Sequence, residues 1–399
     1  MQDSPMHSMK CQPVPMTTNV EFSEYDRQMM MAALALAERG RYTCMPNPRV
    51  GCVIVKGDDI VGRGAHLHAG QPHAEVLALQ EAGAASHNAT VYVTLEPCDF
   101  HGRTGPCTQR LIAAGVSRVI YALDDANPKV SGQGRKALLA AGIVVDFGLL
   151  ACEAQQLNRG FFSRMQTQRP FVHAKMAMSL DGRTAMASGE SQWITGGLAR
   201  SRVQKMRAQS CVMVTGIGTV LSDDPSLTVR SAELGVDIDR QPALVVIDSH
   251  LNIPLDSKVI CESTSSGRAL LIACAKDFDI ERKKALVELG VEVQAFTGIV
   301  ASPKRIDLSA LLDFLGEREY NEVMLEAGAE LLGSFIQQQL VDELSLFVAP
   351  KLIGASAKPL AQLHIEAMSD AQALDVIEVE SVGDDWLFRC KLVPQALTH

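Results

Sequence analysis

Between Val50 and Gly148, short runs of β-branched and apolar residues alternate with helix-forming runs that stop at glycine. "VGCVIVKGDDIVGRG" reads as two strands around a Gly-Asp turn, and "ATVYVTLEP", "VSRVIYAL" and "IVVDFG" as one strand each. Tyr25 to Gly40, His73 to Gly83, "CTQRLIAAG" and "GRKALLAAG" read as helices closed by glycine. Each such element has one face to bury, so strands and helices in alternation must stack as layers. The fold class this predicts is α/β.

A second pattern of the same kind begins at "FVHAKMAMSLDGRTA" and passes through the strands "CVMVTG", "ALVVIDS", "ALLIACA" and "LSLFVAPKLIG". It ends in a hairpin-like tail, "DVIEVESVGDDWLFRCKLV". A chain of 399 residues is too long for one ordinary core. The periodicity weakens over "LLACEAQQLNRGFFSRMQTQRP", which reads as a helix ending before Pro170, and residues 149–170 are expected to link a domain at 21–148 to another at 171–399. Residues 1–20 carry three prolines and no continuous apolar run, and read as a disordered arm rather than a signal peptide.

Charge and cysteine usage narrow the partners. A formal charge of −9 and a pI near 5.6 give no basic field to hold a nucleic acid. No apolar stretch of 18 residues offers a membrane span. Ten cysteines are scattered without the dense spacing of a secreted disulfide scaffold, which points to a reducing cytoplasm. A small molecule in a local pocket is the partner expected, with a homo-oligomer as the assembly.

"PHAEV" carries chemistry of a definite kind. Hydrolytic removal of an amino group from a pyrimidine needs hydroxide at neutral pH, which zinc supplies when three protein ligands leave one position open. It also needs a carboxylate that carries protons without binding the metal. His73 offers the first ligand, and Glu75 opens the same helix two residues later. Cys98 and Cys107 offer two thiolates, helped towards ionisation by a second helix start. A lone H-x-E means little, and buried cysteines are more often inert core than ligands. Order and spacing favour Zn2+ here: H-x-E at a helix start, a strand, then Cys107 opening another helix. The usual deaminase pattern has only two residues between its cysteines, whereas eight separate these.

Taken together, "NPRVG", "HAEV", "VTLEPC", "GRTGPC" and "DDANP" resemble the deaminase half of the bifunctional riboflavin-biosynthesis deaminase/reductase family, where the same long gap occurs. The resemblance implies a cytidine-deaminase-like three-layer α/β/α domain. It implies a phosphate contact from Arg103, with Asn47 and His66 beside the base and Asp125 and Asn127 at the phosphate end. "CDFHG" departs from the family's Ser-His after the first cysteine, putting Phe100 where histidine is expected and His101 one place later, so no role is assigned to His101.

The second half has no G-x-G-x-x-G after a strand, so a Rossmann site is unsupported. Gly216 and Gly218 of "TGIGTVLSDDP" follow a strand, and Gly328 of "EAGAELLGSF" starts a helix, where free amides favour a pyrophosphate. Each alone is weak. With "KMAMSLDGRTA", "SGESQWIT", "RAQSCVMVTGIGTVLSDDPSLTVR" and "VDELSLFVAPKLIG" they resemble the reductase half of the same family, whose fold is similar to dihydrofolate reductase. The resemblance implies NADPH, held by Ala177, Trp193, Thr219, Asp223, Ser249 and the run Gly328, Ala329, Glu330, Leu331, Leu332, Gly333 and Ser334. It sets the substrate's ribose phosphate against Ser191, Arg207, Leu227, Arg230 and Glu326, and Lys175 against the sugar carbonyl. Two arginines on one phosphate suit the fork geometry of guanidinium. "ITGG" puts Gly196 where relatives commonly carry serine, removing a hydroxyl within reach of the cofactor.

The activity implied is zinc-dependent deamination of a phosphoribosylated diaminopyrimidine, followed by NADPH-dependent reduction of its ribosyl group to ribityl. Two other readings stay open at this level. One is a nucleoside or tRNA deaminase with a non-catalytic reductase-like domain; the other is a zinc-stabilised binding module, which would carry a fourth metal ligand.

Overall fold

Side chains of Cys52, Val53, Ile54 and Val55 are all buried, yet they enter two different cores. Val53 and Val55 pack on one face of a sheet and Cys52 and Ile54 on the other, the period of two that a strand imposes. The computed structural model describes residues 21–100, 105–128, 130–234, 238, 240–296 and 306–394. It divides at Arg169/Pro170 into two units.

The first unit runs α1 (Glu24–Ala37), β1 (Gly51–Lys56), β2 (Asp59–Ala65), α2 (Ala74–Ala82), β3 (Thr90–Val93), α3 (Cys107–Ala113), β4 (Arg118–Tyr121), α4 (Gln133–Ala140), β5 (Val144–Phe147), α5 (Ala151–Leu157) and α6 (Arg159–Thr167). Its sheet has the order β2-β1-β3-β4-β5, with β3, β4 and β5 parallel and β1 antiparallel to both its neighbours. Met30 and Ala33 of α1 and Ala154, Phe161 and Phe162 of α5 and α6 cover one face. Ala74, Ala78, Leu111 and Leu138 of α2, α3 and α4 cover the other.

Residues 149–170, expected to be a helical linker, are helical but form two helices, and these belong to this unit. Helices of seven and nine residues, meeting at Asn158, are too short to display a 3.6-residue repeat. The sheet face they bury is what holds them. Residues 1–20, expected to be an arm, lie outside the described residues.

The second unit runs β6 (Phe171–Ser179), β7 (Arg183–Ala185), α7 (Gly197–Gln209), β8 (Val212–Gly216), α8 (Ile217–Asp223), β9 (Ala243–Ile247), α9 (Lys258–Ser266), β10 (Leu270–Cys274), α10 (Ile280–Glu288), β11 (Glu292–Ala295), α11 (Leu308–Glu317), β12 (Glu322–Leu325), α12 (Ala329–Gln337), β13 (Glu343–Ala349), β14 (Lys358–Pro359), β15 (Leu374–Val382) and β16 (Asp385–Leu392). The main sheet has the order β11-β10-β9-β8-β12-β6-β13-β16-β15, parallel up to β13 and closed by the antiparallel β16 and β15. Leu311, Leu315, Phe335 and Ile336 of α11 and α12 pack on one face, and Val203, Met206, Val259 and Leu286 of α7, α9 and α10 on the other. β7 and β14 pair as a separate small ribbon. Among the described residues no helix is long and apolar enough to cross a membrane.

Candidate active sites

In the first unit three potential ligands meet. His73 is the extended residue that precedes α2, Cys98 lies in the loop after β3, and Cys107 is the first residue of α3. His73 Nδ1 lies 3.6 Å from Cys98 Sγ and 3.3 Å from Cys107 Sγ, and the three ligand atoms all lie within 4.8 Å of one another. Zn–S bonds of about 2.3 Å and Zn–N bonds of about 2.0 Å at a tetrahedral angle put N and S about 3.5 Å apart. The donor set and its spacing therefore fit zinc. The expected pair of thiolates at a helix start holds for Cys107; Cys98 comes from a loop, and the amide of Cys107 reaches its sulfur.

The closeness of α2 to the sheet sets His73 and Glu75. A Cβ at Gly64 of β2 would lie 1.9 Å from Ala74 O, so only glycine lets the strand reach the first turn of that helix. Glu75 is 3% exposed. Burial pushes its carboxyl up from the ordinary range, with the Cys98 charge adding to this and His73 opposing it. The Cys98 thiol is pulled down to about 4, first by the hydrogen bond from Cys107 and also by His73. Cys107 moves the other way because it shares its proton with Cys98; a bound dication ionises both thiols.

Around this centre the expected substrate residues fall as follows. His66 is buried, its ring edge-on to His73 with centroids 5.3 Å apart. Its Nδ1 donates to Pro72 O at 3.2 Å, which leaves Nε2 to accept from Asn47 Nδ2 at 3.0 Å. Burial lowers the His66 pKa, which favours the neutral ring. Asp125 is pushed up to about 7 by burial, with Glu96 and Cys98 adding to the rise, and accepts the Asn127 N–H at 2.8 Å. Arg103 and His101 lie outside the described residues.

The second unit holds a cleft of about 1470 Å³, larger than the ~300–1,000 Å³ of most single-ligand pockets. Lys175, Ala177, Ser191, Trp193, Arg207, Thr219, Asp223, Leu227, Arg230, Ser249 and Glu326 all line it, as do Gly328, Ala329, Glu330, Leu331 and Ser334. Leu332 and Gly333 do not: Leu332 is in the core, and Gly333 lies against Gln362, whose carbonyl oxygen is 2.1 Å from where a Cβ would be. Gly328 caps α12 without a side-chain hydrogen bond and faces open space, so the amides of the first turn suit a phosphate.

Arg207 does not stand free beside Arg230. Its Nε and Nη2 bond both oxygens of Glu326 at 2.6 and 3.0 Å, and Nη1 bonds Thr228 O at 3.1 Å. Lys175 Nζ lies 3.9 Å from Glu326. Glu326 falls to about 2: burial opposes this, and Arg207, then Lys175, overcome it. Burial lowers the Lys175 pKa, partly offset by Glu326. Two cations on one carboxylate leave this group of three side chains net positive within a cleft whose other charges include Asp223, Asp224, Asp248, Glu262 and Glu330. Arg230 is exposed and pairs with Glu233 at 2.5 Å. Trp193 is exposed under the Arg200 guanidinium, 4.5 Å from its ring centre, while Lys351 Nζ bonds the carbonyls of Trp193 and Ile194.

Comparison with known proteins is decisive. Residues 23–123 match the family described as cytidine and deoxycytidylate deaminase zinc-binding region, and residues 170–388 match the RibD C-terminal domain. Over 375 residues the chain is 46% identical to the riboflavin biosynthesis protein RibD of Haemophilus influenzae, covering 92% of this chain and 97% of that one. The chain belongs to the RibD family. Its two units are thus the family's cytidine-deaminase-like and dihydrofolate-reductase-like domains, and the bifunctional hydrolase and oxidoreductase reading stands over a deaminase with an idle tail. Acinetobacter baumannii RibD, 40% identical, superposes with a TM-score of 0.85 over 93% of this chain and 99% of that one. A Thermotoga maritima protein described as diaminohydroxyphosphoribosylaminopyrimidine deaminase/5-amino-6-(5-phosphoribosylamino)uracil reductase, 30% identical, gives 0.79 over 92% and 99%.

Some residues that shape these sites carry no motif. Asn158, between α5 and α6, accepts the Arg49 N–H at 2.7 Å and donates to the Arg49 carbonyl at 2.9 Å, bracketing the loop that bears Asn47. Asp181 holds the amides of Ile353 and Gly354 and so fixes the segment containing Lys351. Such contacts cross 109 and more than 170 positions of sequence, a separation at which no local pattern can announce them.

Proposed function

We propose that the first domain deaminates 2,5-diamino-6-(5-phosphoribosylamino)pyrimidin-4(3H)-one, and that the second reduces the ribosyl group of 5-amino-6-(5-phosphoribosylamino)uracil to ribityl with NADPH. The observation that carries the reading is the convergence of His73, Cys98 and Cys107 beside the buried Glu75. Zinc bound there supplies a water acidic enough to act as nucleophile at neutral pH. Glu75, buried beside the three ligands, would carry a proton from that water to the departing nitrogen. Asn47, oriented by His66, keeps its amide oxygen for a substrate N–H. Asp125 and Asn127 serve the phosphoribosyl end, joined by Arg103 on the strength of the family resemblance.

In the second domain the size of the cleft supports two ligands side by side. NADPH, when bound, supplies the hydride for C1 of the opened sugar. The amides at the start of α12 receive its pyrophosphate, with Gly328 to Leu331 and Ser334 as the binding run. Ala177, Trp193, Thr219, Asp223 and Ser249 line the cofactor side, and Ser191, Leu227 and Arg230 the substrate side. Glu326 holds Arg207 and Lys175 in place, so that Lys175 donates to the sugar carbonyl while the pair's net positive charge draws the phosphate.

The test is to supply the diamino substrate and NADPH to the purified chain and measure ammonia and NADP+ together. One equivalent of each supports the reading; ammonia without NADP+ would return the second domain to a ligand-binding role. The same reading carries a cytoplasmic homo-oligomer. It is supported by the nine described cysteines, none of which forms a disulfide, and by the exposed Leu374, Val376 and Val379 on the edge strand β15. Light scattering on the purified chain checks the assembly.

A further inference from the structure

Glu96, between β3 and the ligand Cys98, is 3% exposed and holds backbone amides with both oxygens of its carboxylate. Its Oε2 accepts the amide of Asp125 at 3.3 Å and that of Gly132 at 2.9 Å, and its Oε1 the amide of Arg135 at 3.1 Å. Gly132, the N-cap of α4, has no side chain to cap the helix, so Glu96 does this from another part of the chain. The two segments also fit closely. Glu96 N donates to Leu123 O at 2.8 Å, a Cβ at Gly134 would lie 1.9 Å from Pro97 O, and Val130 packs with Val76, Cys98 and Cys107.

We infer that Glu96 is a positioning residue for deamination: it locks Asp125, Gly132 and Arg135 onto the loop that carries Cys98, and so fixes the spacing between the residues that meet the substrate's phosphoribosyl end and the metal ligands that face its reacting carbon. The inference rests on the deaminase reading above. The physics favours a carboxylate at this point, because three N–H donors need an acceptor-only group. Glutamine offers one oxygen and turns its NH2 against an amide N–H, leaving a buried donor unmet. Asp125 passes the registration on, since its own side chain fixes the Asn127 amide.

The test is Glu96→Gln in the full-length, zinc-loaded chain. One equivalent of zinc and an unaltered visible spectrum of the cobalt(II)-substituted protein are expected, because no ligand changes. Hydrogen exchange in peptides covering 124–136 rises roughly tenfold or more, while exchange in α2 does not change. The KM for deamination rises roughly tenfold with kcat within about threefold, and NADPH-dependent reduction by the same chain is unchanged. An unchanged KM overturns the inference, and so does a fall in kcat as large as the rise in KM, which marks general damage. Should Glu96→Gln lose zinc, Glu96→Asp, with its charge on a shorter arm, is read by the same criteria; zinc loss in both variants also overturns it. If the parent chain releases no ammonia, the functional reading fails separately. Exchange needs no substrate, and then decides alone: a local rise supports the lock and no rise removes it.

Discussion

Glu326 grips Arg207 with both carboxylate oxygens, at 2.6 and 3.0 Å, while Lys175 stands 3.9 Å away. The side chain is 11% exposed, so solvent screens the pair weakly. Its folded pKa of about 2 lies below the ordinary 4.5, so its contribution is complete above pH 4.5 and is withdrawn as pH falls towards 2. The shift corresponds to about 3 kcal/mol. Glu326→Gln should therefore destabilise the second domain by about that much at pH 7, and the gap from the parent should close below pH 4.5. Urea unfolding followed by tryptophan fluorescence checks this, because both tryptophans, Trp193 and Trp386, belong to that domain. A gap that stays constant with pH would place the loss elsewhere than in the ion pair.

Gly64→Ala tests how the first domain places His73 and Glu75. A Cβ there meets Ala74 O at 1.9 Å and Ala78 N at 2.8 Å, both backbone atoms that cannot rotate aside. Overpacking of this kind costs about 1–3 kcal/mol or more and shifts the start of α2. Zinc content should fall below one equivalent and ammonia release should be lost, with NADPH-dependent reduction retained. Gly57→Ala is the control: it also changes a glycine, at φ +62° but in open space, so only about 1–2 kcal/mol of backbone strain is expected and zinc should stay bound.

The first domain was legible because its chemistry sits at element boundaries that sequence marks well. His73 precedes a helix and Cys107 opens one, and both boundaries follow from glycine and proline punctuation. The cleft of the second domain was legible as a set of residues but not as a set of partners. Arg207 reads from sequence as a phosphate ligand, and its commitment to Glu326, 119 positions away, depends on β12 and α7 meeting across the sheet. α5 and α6 were legible only as a single helix: two runs of seven and nine residues do not mark their own break at Asn158, and the face they cover belongs to strands far upstream.

Gly196, read from sequence as a missing cofactor hydroxyl, occupies the N-cap of α7 and gives its N–H to Asp385 at 2.7 Å. It is absent from the residues that line the cleft. Gly196→Ser should stabilise the second domain by only a few tenths, about 0.3 kcal/mol, since serine caps little better than glycine. A Cβ there approaches Asp385 Oδ2 at 3.4 Å, which is tolerable. The KM for NADPH should be unchanged. A lowered KM in steady-state reduction would restore the hydroxyl to the cofactor site.

Metal and proton carrier can be separated by removing each in turn. Glu75→Gln leaves His73, Cys98 and Cys107 intact, so the chain should still bind one zinc while ammonia release falls about 10²–10⁴-fold. Chelation should abolish ammonia release in the parent, yet leave the first domain folded by far-UV circular dichroism, because its cores on both faces of the sheet do not depend on the three ligands. NADPH oxidation with supplied 5-amino-6-(5-phosphoribosylamino)uracil should continue in both cases. Unfolding on chelation would instead make the metal structural, and normal ammonia release by Glu75→Gln would pass the proton to another group.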